Sequence, residues 1–353
     1  MILEDFDYSS CGWLAQPGPR NDIVLSSRIR LARNVEGFPF SNWASTGEIA
    51  RLVSTCSEVL RKTPTLKGSE ELHLEEMEEL NLQFLLERHQ ISQEMAGGQI
   101  QRSVFIHPTQ TLGAMVAEED HLRLQVFFPG LDLDRAWGAA KEMDRIVGES
   151  LPYSYSDRLG HLTACPTNVG TGLRCSVMVH LPALVMTRQI QRMINAISNL
   201  GMTVRGPQGE GSEIKGNLFQ ISNQITLGVS EQDLIDKLKN LAEQVVDSER
   251  KAAEQLMDEA REDIYDRAMR AYGILSYAHK LTSKETLELL SPLRLGITCG
   301  VVKNLKLDTV NELLLCSRPA HLQKRAGRPL DSRERDIYRA EFVRTRLSEA
   351  TSS

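Results

Sequence analysis

The sequence has no run of about 18 or more consecutive apolar residues, so no segment is expected to span a membrane. It has no Cys-x-x-Cys pair. Its six cysteines (Cys11, Cys56, Cys165, Cys175, Cys299 and Cys316) are dispersed, which fits neither a zinc site nor a disulfide framework and points to a reducing cytoplasm. It has no basic excess: 41 Lys and Arg stand against 47 Asp and Glu, a net charge of -6 that argues against direct nucleic-acid binding. The opening stretch, MILEDFDYSSCGW, is acidic and lacks a basic segment followed by an apolar core, so no signal peptide is expected. Repeats and low-complexity tracts are lacking, and so is a GxxxxGK[ST] phosphate loop.

What is present reads as an ordinary globular chain. It has 353 residues, 41% hydrophobic and 25% charged, enough for about two domains. Periodicity predicts helices over 47–62, 70–88, 132–147 (opening at Asp132 or Asp134) and 183–199. Short strands are expected at 103–106, 112–117, 121–128, 159–164, 173–181, 202–205 and 217–222. Strands joined by short turns favour antiparallel pairing, so the first part reads as α+β. From 231 to 280 the chain is almost continuously helix-forming, and no strong strand signal follows. We therefore expect a catalytic-type domain over 1–253 and a helical C-terminal domain over 254–353.

Arginine is the informative residue. In LSSRIRLAR, Arg28 and Arg30 are two apart, so a strand would aim both at one face. Two guanidinium groups there repel unless an anion sits between them, and their forks match phosphate oxygens. Arg123, Arg174 and Arg205 also adjoin apolar strand-like residues. Each alone reads more readily as an exposed strand arginine; together they suggest an anion clamp. Among the acids, the six glutamates between 70 and 80 read as a solvated helix exterior. Glu118, Glu119 and Asp120 stand at a hairpin end, and Glu210 lies in the glycine-rich RGPQGEGSE loop. By pattern alone Glu119 reads first as a turn acid and Glu210 as an exposed loop acid. Paired carboxylates can hold a planar cation and take its proton, and phosphoryl transfer needs little beyond positioning and electrostatics.

SSRIRLAR, EEDHLR, CPTNVGTGLR and RGPQGEGSE…FQISNQITLG occur in the order of the motifs of the phosphagen (guanidino) kinases, which residues 20–253 resemble. The resemblance implies an antiparallel sheet flanked by helices, with ATP as phosphoryl donor and Mg2+ carried by the nucleotide, so that no metal ligand is expected in the chain. It implies that Ser27, Arg28, Arg30, His89, Arg123, Arg174 and Arg205 bind ATP. Glu119 and Glu210 would grip the acceptor guanidinium, one as base, with Cys165 beside it. Two positions depart from the family pattern: Ala117 replaces an Asn before EED, and Met178 replaces a nucleotide-contacting His.

Only 25 residues precede Ser26, too few for the N-terminal helical domain of the small-molecule kinases, and the helical mass lies at the C-terminus instead. This arrangement resembles the bacterial protein arginine kinases. It implies protein substrates carrying arginine, marked for Clp ATPase and protease machinery in stress responses, a zinc-binding activator partner and a homodimer. A free-arginine kinase and a silent phosphoarginine-binding adaptor are the alternatives; the full set of arginines and glutamates argues against the latter. Finally, RDIYRA resembles that family's RDxxRA motif, which implies an allosteric phosphoarginine site formed by Arg335, Asp336 and Arg339. The same stretch also fits an exposed helix laced with ion pairs.

Overall fold

The computed structural model describes residues 11–14, 17–97, 101–206 and 214–352. Ten strands are present among them: β1 (Val24–Arg33), β2 (Glu70–His73), β3 (Ser103–Ile106), β4 (Leu112–Val116), β5 (Leu122–Pro129), β6 (Tyr155–Ser156), β7 (Gly160–His161), β8 (Leu173–His180), β9 (Met202–Arg205) and β10 (Leu218–Asn223). Six helices accompany the strands: α1 (Thr46–Lys62), α2 (Glu79–Glu87), α3 (Gln93–Ala96), α4 (Leu133–Ser150), α5 (Pro182–Met186) and α6 (Ile190–Asn199). Six more complete the chain: α7 (Glu231–Glu259), α8 (Arg261–Tyr277), α9 (Ser283–Thr298), α10 (Leu307–Cys316), α11 (Pro319–Ala326) and α12 (Ser332–Ser352).

Eight strands form one sheet in the order β2-β3-β4-β5-β1-β8-β10-β9, and every pair is antiparallel. The fold is thus α+β, with a helical C-terminal region. β1 lies at the centre, and its alternation explains why. Ile29 and Leu31 are fully buried on one face, where α1, α4 and α7 cover the sheet with Leu52, Val53, Ala136, Ala140, Leu238 and Val245. Arg28 and Arg30 point to the other face. Over the far end of that second face, Leu25, Phe127 and Leu218 join the core of the helical region, which includes Leu290, Leu293 and Leu313.

The helices start where their chemistry permits. Ser45 and Glu48 form a reciprocal capping box on α1, and Thr282 and Glu285 do the same on α9. Ser230 caps α7, a 29-residue helix that runs across the 253/254 junction.

Several expected elements differ. The acidic stretch at 70–88 is not one helix: Glu70–His73 pairs with β3 as the sheet edge, Leu74–Glu76 makes a 3-10 turn, and the α-helix is confined to Glu79–Glu87. Tertiary pairing overrides the helix propensity of Glu and Leu, and charged side chains suit an edge strand. The expected helix at 183–199 is two, broken around Arg188, whose φ of 58° no helix tolerates. The long C-terminal helix breaks at Ala260 (φ -143°). The expected strand at 159–164 is reduced to Gly160–His161.

Candidate active site

Strand pairing builds the site. Arg30 stands directly opposite Arg174 on β8 and Gln125 on β5; Arg28 stands opposite Phe127 and Ser176; Arg123 stands opposite Ala32; and Gln220 stands opposite Arg205. Residues paired across an antiparallel ladder share a face, so five arginines from four strands converge. They line a cleft of about 380 Å³ together with His89, Ser92, Glu119, Cys165, Thr167, Asn168, Gly172 and Gln220.

Cations this close need fixing. Arg28 donates to Gln125 Oε1 (2.6 Å), and its guanidinium lies 4.8 Å from the centre of the Phe127 ring. Arg123 pairs with Glu118, which also accepts from Ser92 Oγ at 2.5 Å, and lies 3.8 Å from Glu119. Arg174 donates to Ser222 Oγ (3.3 Å). Burial, then the charges of Arg123 and Arg174, push the pKa of Arg28 down to about 9; burial and its arginine neighbours push that of Arg30 well down. A guanidinium nevertheless keeps its proton. The penalty is therefore carried as mutual repulsion, which a polyanion relieves. Arg28 Nε and Arg30 Nε are buried without a hydrogen-bond partner among the described residues, as fits a face built for phosphate oxygens.

The three acids of EED divide three tasks. Buried Glu118 anchors Arg123. Fully buried Asp120 accepts from Asn34 Nδ2 and from the Ala164 backbone N–H, both at 2.7 Å, and so ties this hairpin to the turn carrying Cys165. Glu119, between them, faces the cleft. Burial first, then Asp120, raises its pKa above the usual carboxylate range, while Arg123 works in the opposite direction. Cys165 also faces the cleft, with Sγ 3.0 Å from Thr167 Oγ1. The glycines of the same turn serve a purpose other than wrapping phosphate. Gly170 (φ 112°) passes so close to the 224–229 loop that a Cβ would lie 2.2 Å from the Thr226 carbonyl; at Gly172 (φ 60°) one would meet the Ala32 carbonyl at 2.5 Å.

His89, itself at φ 58°, is buried against Trp13 (ring centres 5.6 Å apart). Burial, then Arg318, Arg28 and Arg30, pushes its pKa well down, so it is neutral. Trp13, Ser26, Phe127, Ser176 and Met178 line a small recess beside it.

Not every expected residue joins the cleft. Ser27 is on the opposite face from Arg28: its hydroxyl donates to the Gly130 carbonyl (2.8 Å) and accepts from the Asp132 N–H (2.9 Å), so it is a structural link to the start of α4, and its neighbour Ser26 is the serine on the arginine side. Glu210 lies outside the described residues. In the C-terminal motif, Arg335 donates to the Leu330 carbonyl (2.7 Å) and is half-buried. Arg339 is 1% exposed and spends its donors on the Ser317 and Leu281 carbonyls, Ser283 Oγ and Asp336 Oδ1, all at 2.7–2.8 Å. The expectation that both arginines are open to a phosphate is corrected for Arg339, which is a buried strut. Sequence reasoning also passed over Gln125 and Gln220, though in HLRLQVFF the period of two puts Gln125 on the same face as Arg123.

Residues 51–252 match the family described as ATP:guanido phosphotransferase, C-terminal catalytic domain, and residues 261–353 match the Protein-arginine kinase McsB C-terminal domain. The chain is 45% identical over 339 residues to the protein-arginine kinase of Halothermothrix orenii, spanning 95% of this chain and 96% of that protein. It is 44% identical over 344 residues to that of Geobacillus sp. strain WCH70, spanning 97% and 95%. Among solved structures, the duplicated taurocyamine kinase from Schistosoma mansoni with bound transition state analog components superposes with a TM-score of 0.61 at 24% identity, over 71% of this chain and 37% of that one. Lombricine kinase gives a TM-score of 0.55 at 24% identity over 70% of each chain. The two structures share the fold, while the sequence matches carry the assignment through both parts of the molecule: the chain belongs to the protein-arginine kinase family of ATP:guanido phosphotransferases.

Proposed function

We propose that the chain transfers the γ-phosphoryl group of MgATP to arginine side chains of proteins. One observation carries this reading: five arginines, fixed on a single sheet face, share a cleft with an exposed-edge carboxylate and a thiol. Arg28, Arg30, Arg123, Arg174 and Arg205 hold the triphosphate, and the magnesium ion travels with the nucleotide rather than in a protein cage.

The acceptor guanidinium is a poor nucleophile, because its lone pairs are delocalised and it is protonated at neutral pH. Glu119 aligns one of its nitrogens with the γ-phosphorus and takes the proton as the N–P bond forms. The bond from the γ-phosphorus to the bridging oxygen breaks, and the charge developing on ADP is met by the arginines. A carboxylate with a raised pKa is better matched to that proton than an ordinary one. Glu210 serves as the second carboxylate and Cys165 as an electrostatic neighbour of the guanidinium.

The same reading divides the molecule into a catalytic part up to residue 253 and a helical part from 254 that mediates homodimerisation and phosphoarginine recognition by Arg335 and Asp336. It places the protein in the cytoplasm, with a zinc-binding activator and the Clp machinery as partners in stress responses. No helix among the described residues is long and apolar enough to cross a membrane.

Incubation with MgATP and either free arginine or an unfolded protein tests the proposal, with acid-labile phosphate on arginine as readout. Label on the protein is expected. Label on free arginine alone would make the chain a phosphagen kinase, and no label on either would make it a binding adaptor.

A further inference from the structure

Behind the arginine face lies a chain of buried polar side chains that the transfer reaction does not use. Gln125 is 2% exposed. Its Oε1 accepts from Arg28 Nη2 (2.6 Å), and its Nε2 donates to the carbonyls of His89 (3.0 Å) and Gln90 (3.3 Å). Gln90 Nε2 reaches the Gln110 carbonyl (3.2 Å), and Arg88 Nε donates to Gln110 Oε1 (2.7 Å). Arg88 Nη1 in turn lies 3.3 Å from His321 Nε2, on α11 of the C-terminal region.

His321 is itself clamped. Its Nδ1 lies 2.7 Å from Glu87 Oε2, and Glu87 also accepts the backbone N–H groups of Ala320 (3.0 Å) and His321 (3.2 Å), capping α11 from the end of α2. The donors and acceptors are consistent only for one form of the ring. Nδ1 carries a hydrogen for the carboxylate and Nε2 accepts from Arg88, so His321 is neutral, in keeping with burial lowering its pKa. Glu87, Arg88, Gln90, Gln110, Gln125 and His321 are all at most 8% exposed, so none can exchange its partner for water without cost.

Arg28 needs such a holder. Arg123 and Arg174 both repel it, and its only neutral oxygen acceptor among the described contacts is Gln125. We infer that Gln125 is a positioning residue for Arg28, and that the docking of α11 on Glu87 and Arg88 fixes Gln125 through Gln110 and the His89–Gln90 turn, so that the C-terminal region sets the geometry of the nucleotide-binding face. The inference rests on Arg28 contacting nucleotide phosphate, as proposed above.

The test is a double-mutant cycle on MgADP affinity, measured by calorimetry on the full-length chain. Gln125→Met keeps the volume and removes the amide. Its dissociation constant for MgADP is expected to rise about tenfold, the scale of one charge-assisted hydrogen bond, and KM for MgATP to rise with it while kcat falls less. His321→Phe, on α11 and outside the cleft, is expected to weaken MgADP binding in the same direction. The double variant should be no worse than Gln125→Met alone, because both act along one path. Additive losses, or wild-type affinity in His321→Phe with its far-ultraviolet dichroism unchanged, would overturn the coupling. If Gln125→Met fails to fold, Gln110→Met takes its place in the cycle with the same expected pattern. Arg28→Ala separates the two readings. Wild-type MgADP affinity in that variant removes Arg28 from the nucleotide site, whereas loss there with wild-type affinity in Gln125→Met removes only the positioning role.

Discussion

At the scale of single residues, neighbours in sequence have unrelated tasks. Glu118, Glu119 and Asp120 are three consecutive acids, yet one anchors an arginine, one faces the cleft and one holds a turn. The motif was legible in the sequence, but this division was not, because it depends on Ala164 and Asn34 arriving from other segments. Ser27 shows the opposite case: the period of two along β1 already separates it from Arg28, and the strand-face argument, applied strictly, selects Ser26. Glu119 carries the residue-scale prediction. Glu119→Gln keeps the shape and removes the base, so turnover should fall by about 100-fold or more while MgADP affinity is retained. Because burial raises its pKa and only the deprotonated form accepts a proton, activity should rise with pH through a limb lying above the ordinary carboxylate range. A pH–rate profile whose acid limb is unchanged in the variant would assign that limb to another group.

At the scale of elements, the strands carrying Arg123, Arg174 and Arg205 could be read directly, since short apolar runs bounded by turns have few alternatives, whereas Val24–Arg33 was not among the expected strands. The misread elements are those settled by distant contacts. Glu70–His73 becomes a strand only because β3 offers an edge. In α12, Arg339 of the RDIYRA motif has a structural task. Arg339 crosses from α12 to the end of α10 at Ser317 and to the start of α9 at Leu281 and Ser283, so it fastens three helices. Asp336 is its counter-ion at 2.8 Å. Arg339→Met should therefore lower unfolding stability by about 3 kcal/mol, since it removes the donors to the Ser317 and Leu281 carbonyls and leaves half-buried Asp336 with only the more distant Lys280 (4.0 Å) among the described residues. Arg335→Ala, at a half-buried position, should shift stability by no more than about 1 kcal/mol and so is the cleaner probe of phosphoarginine binding. Urea denaturation of the two variants distinguishes these roles, and equal midpoints would show that Arg339 is not a strut.

At the scale of the whole molecule, composition and length suggested two domains, and two family regions do match. The packing joins them more tightly than two modules on a linker. Arg294 on α9 is fully buried and donates to the carbonyls of Asp22 (2.7 Å) and Asn21 (2.6 Å), just before β1, and to Asn311 Oδ1 on α10 (3.1 Å). Leu25, Phe127 and Leu218 share a core with Leu290 and Leu313. Withdrawing the helical region would take Arg294 away from the Asn21 and Asp22 carbonyls and uncover that core. Calorimetry should consequently record one cooperative unfolding transition. Two well-separated transitions, each with its own enthalpy, would show that the regions are energetically independent. None of this was visible in the sequence, where Arg294 is one arginine among many in a helical stretch.

The central place of β1 bears on how the chain is made. Among the described residues it is the first strand to leave the ribosome, yet its two partners, β5 and β8, end only at Pro129 and His180. At about 5–20 residues per second, the nascent strand waits roughly 7 to 30 seconds for its second neighbour. Until β5 follows, Val24, Leu25, Ile29 and Leu31 have no strand beside them, and Arg28 and Arg30 interrupt the apolar run with charge. The charges proposed to meet ATP phosphates would thus also break up the apolar surface of a strand that emerges before its partners.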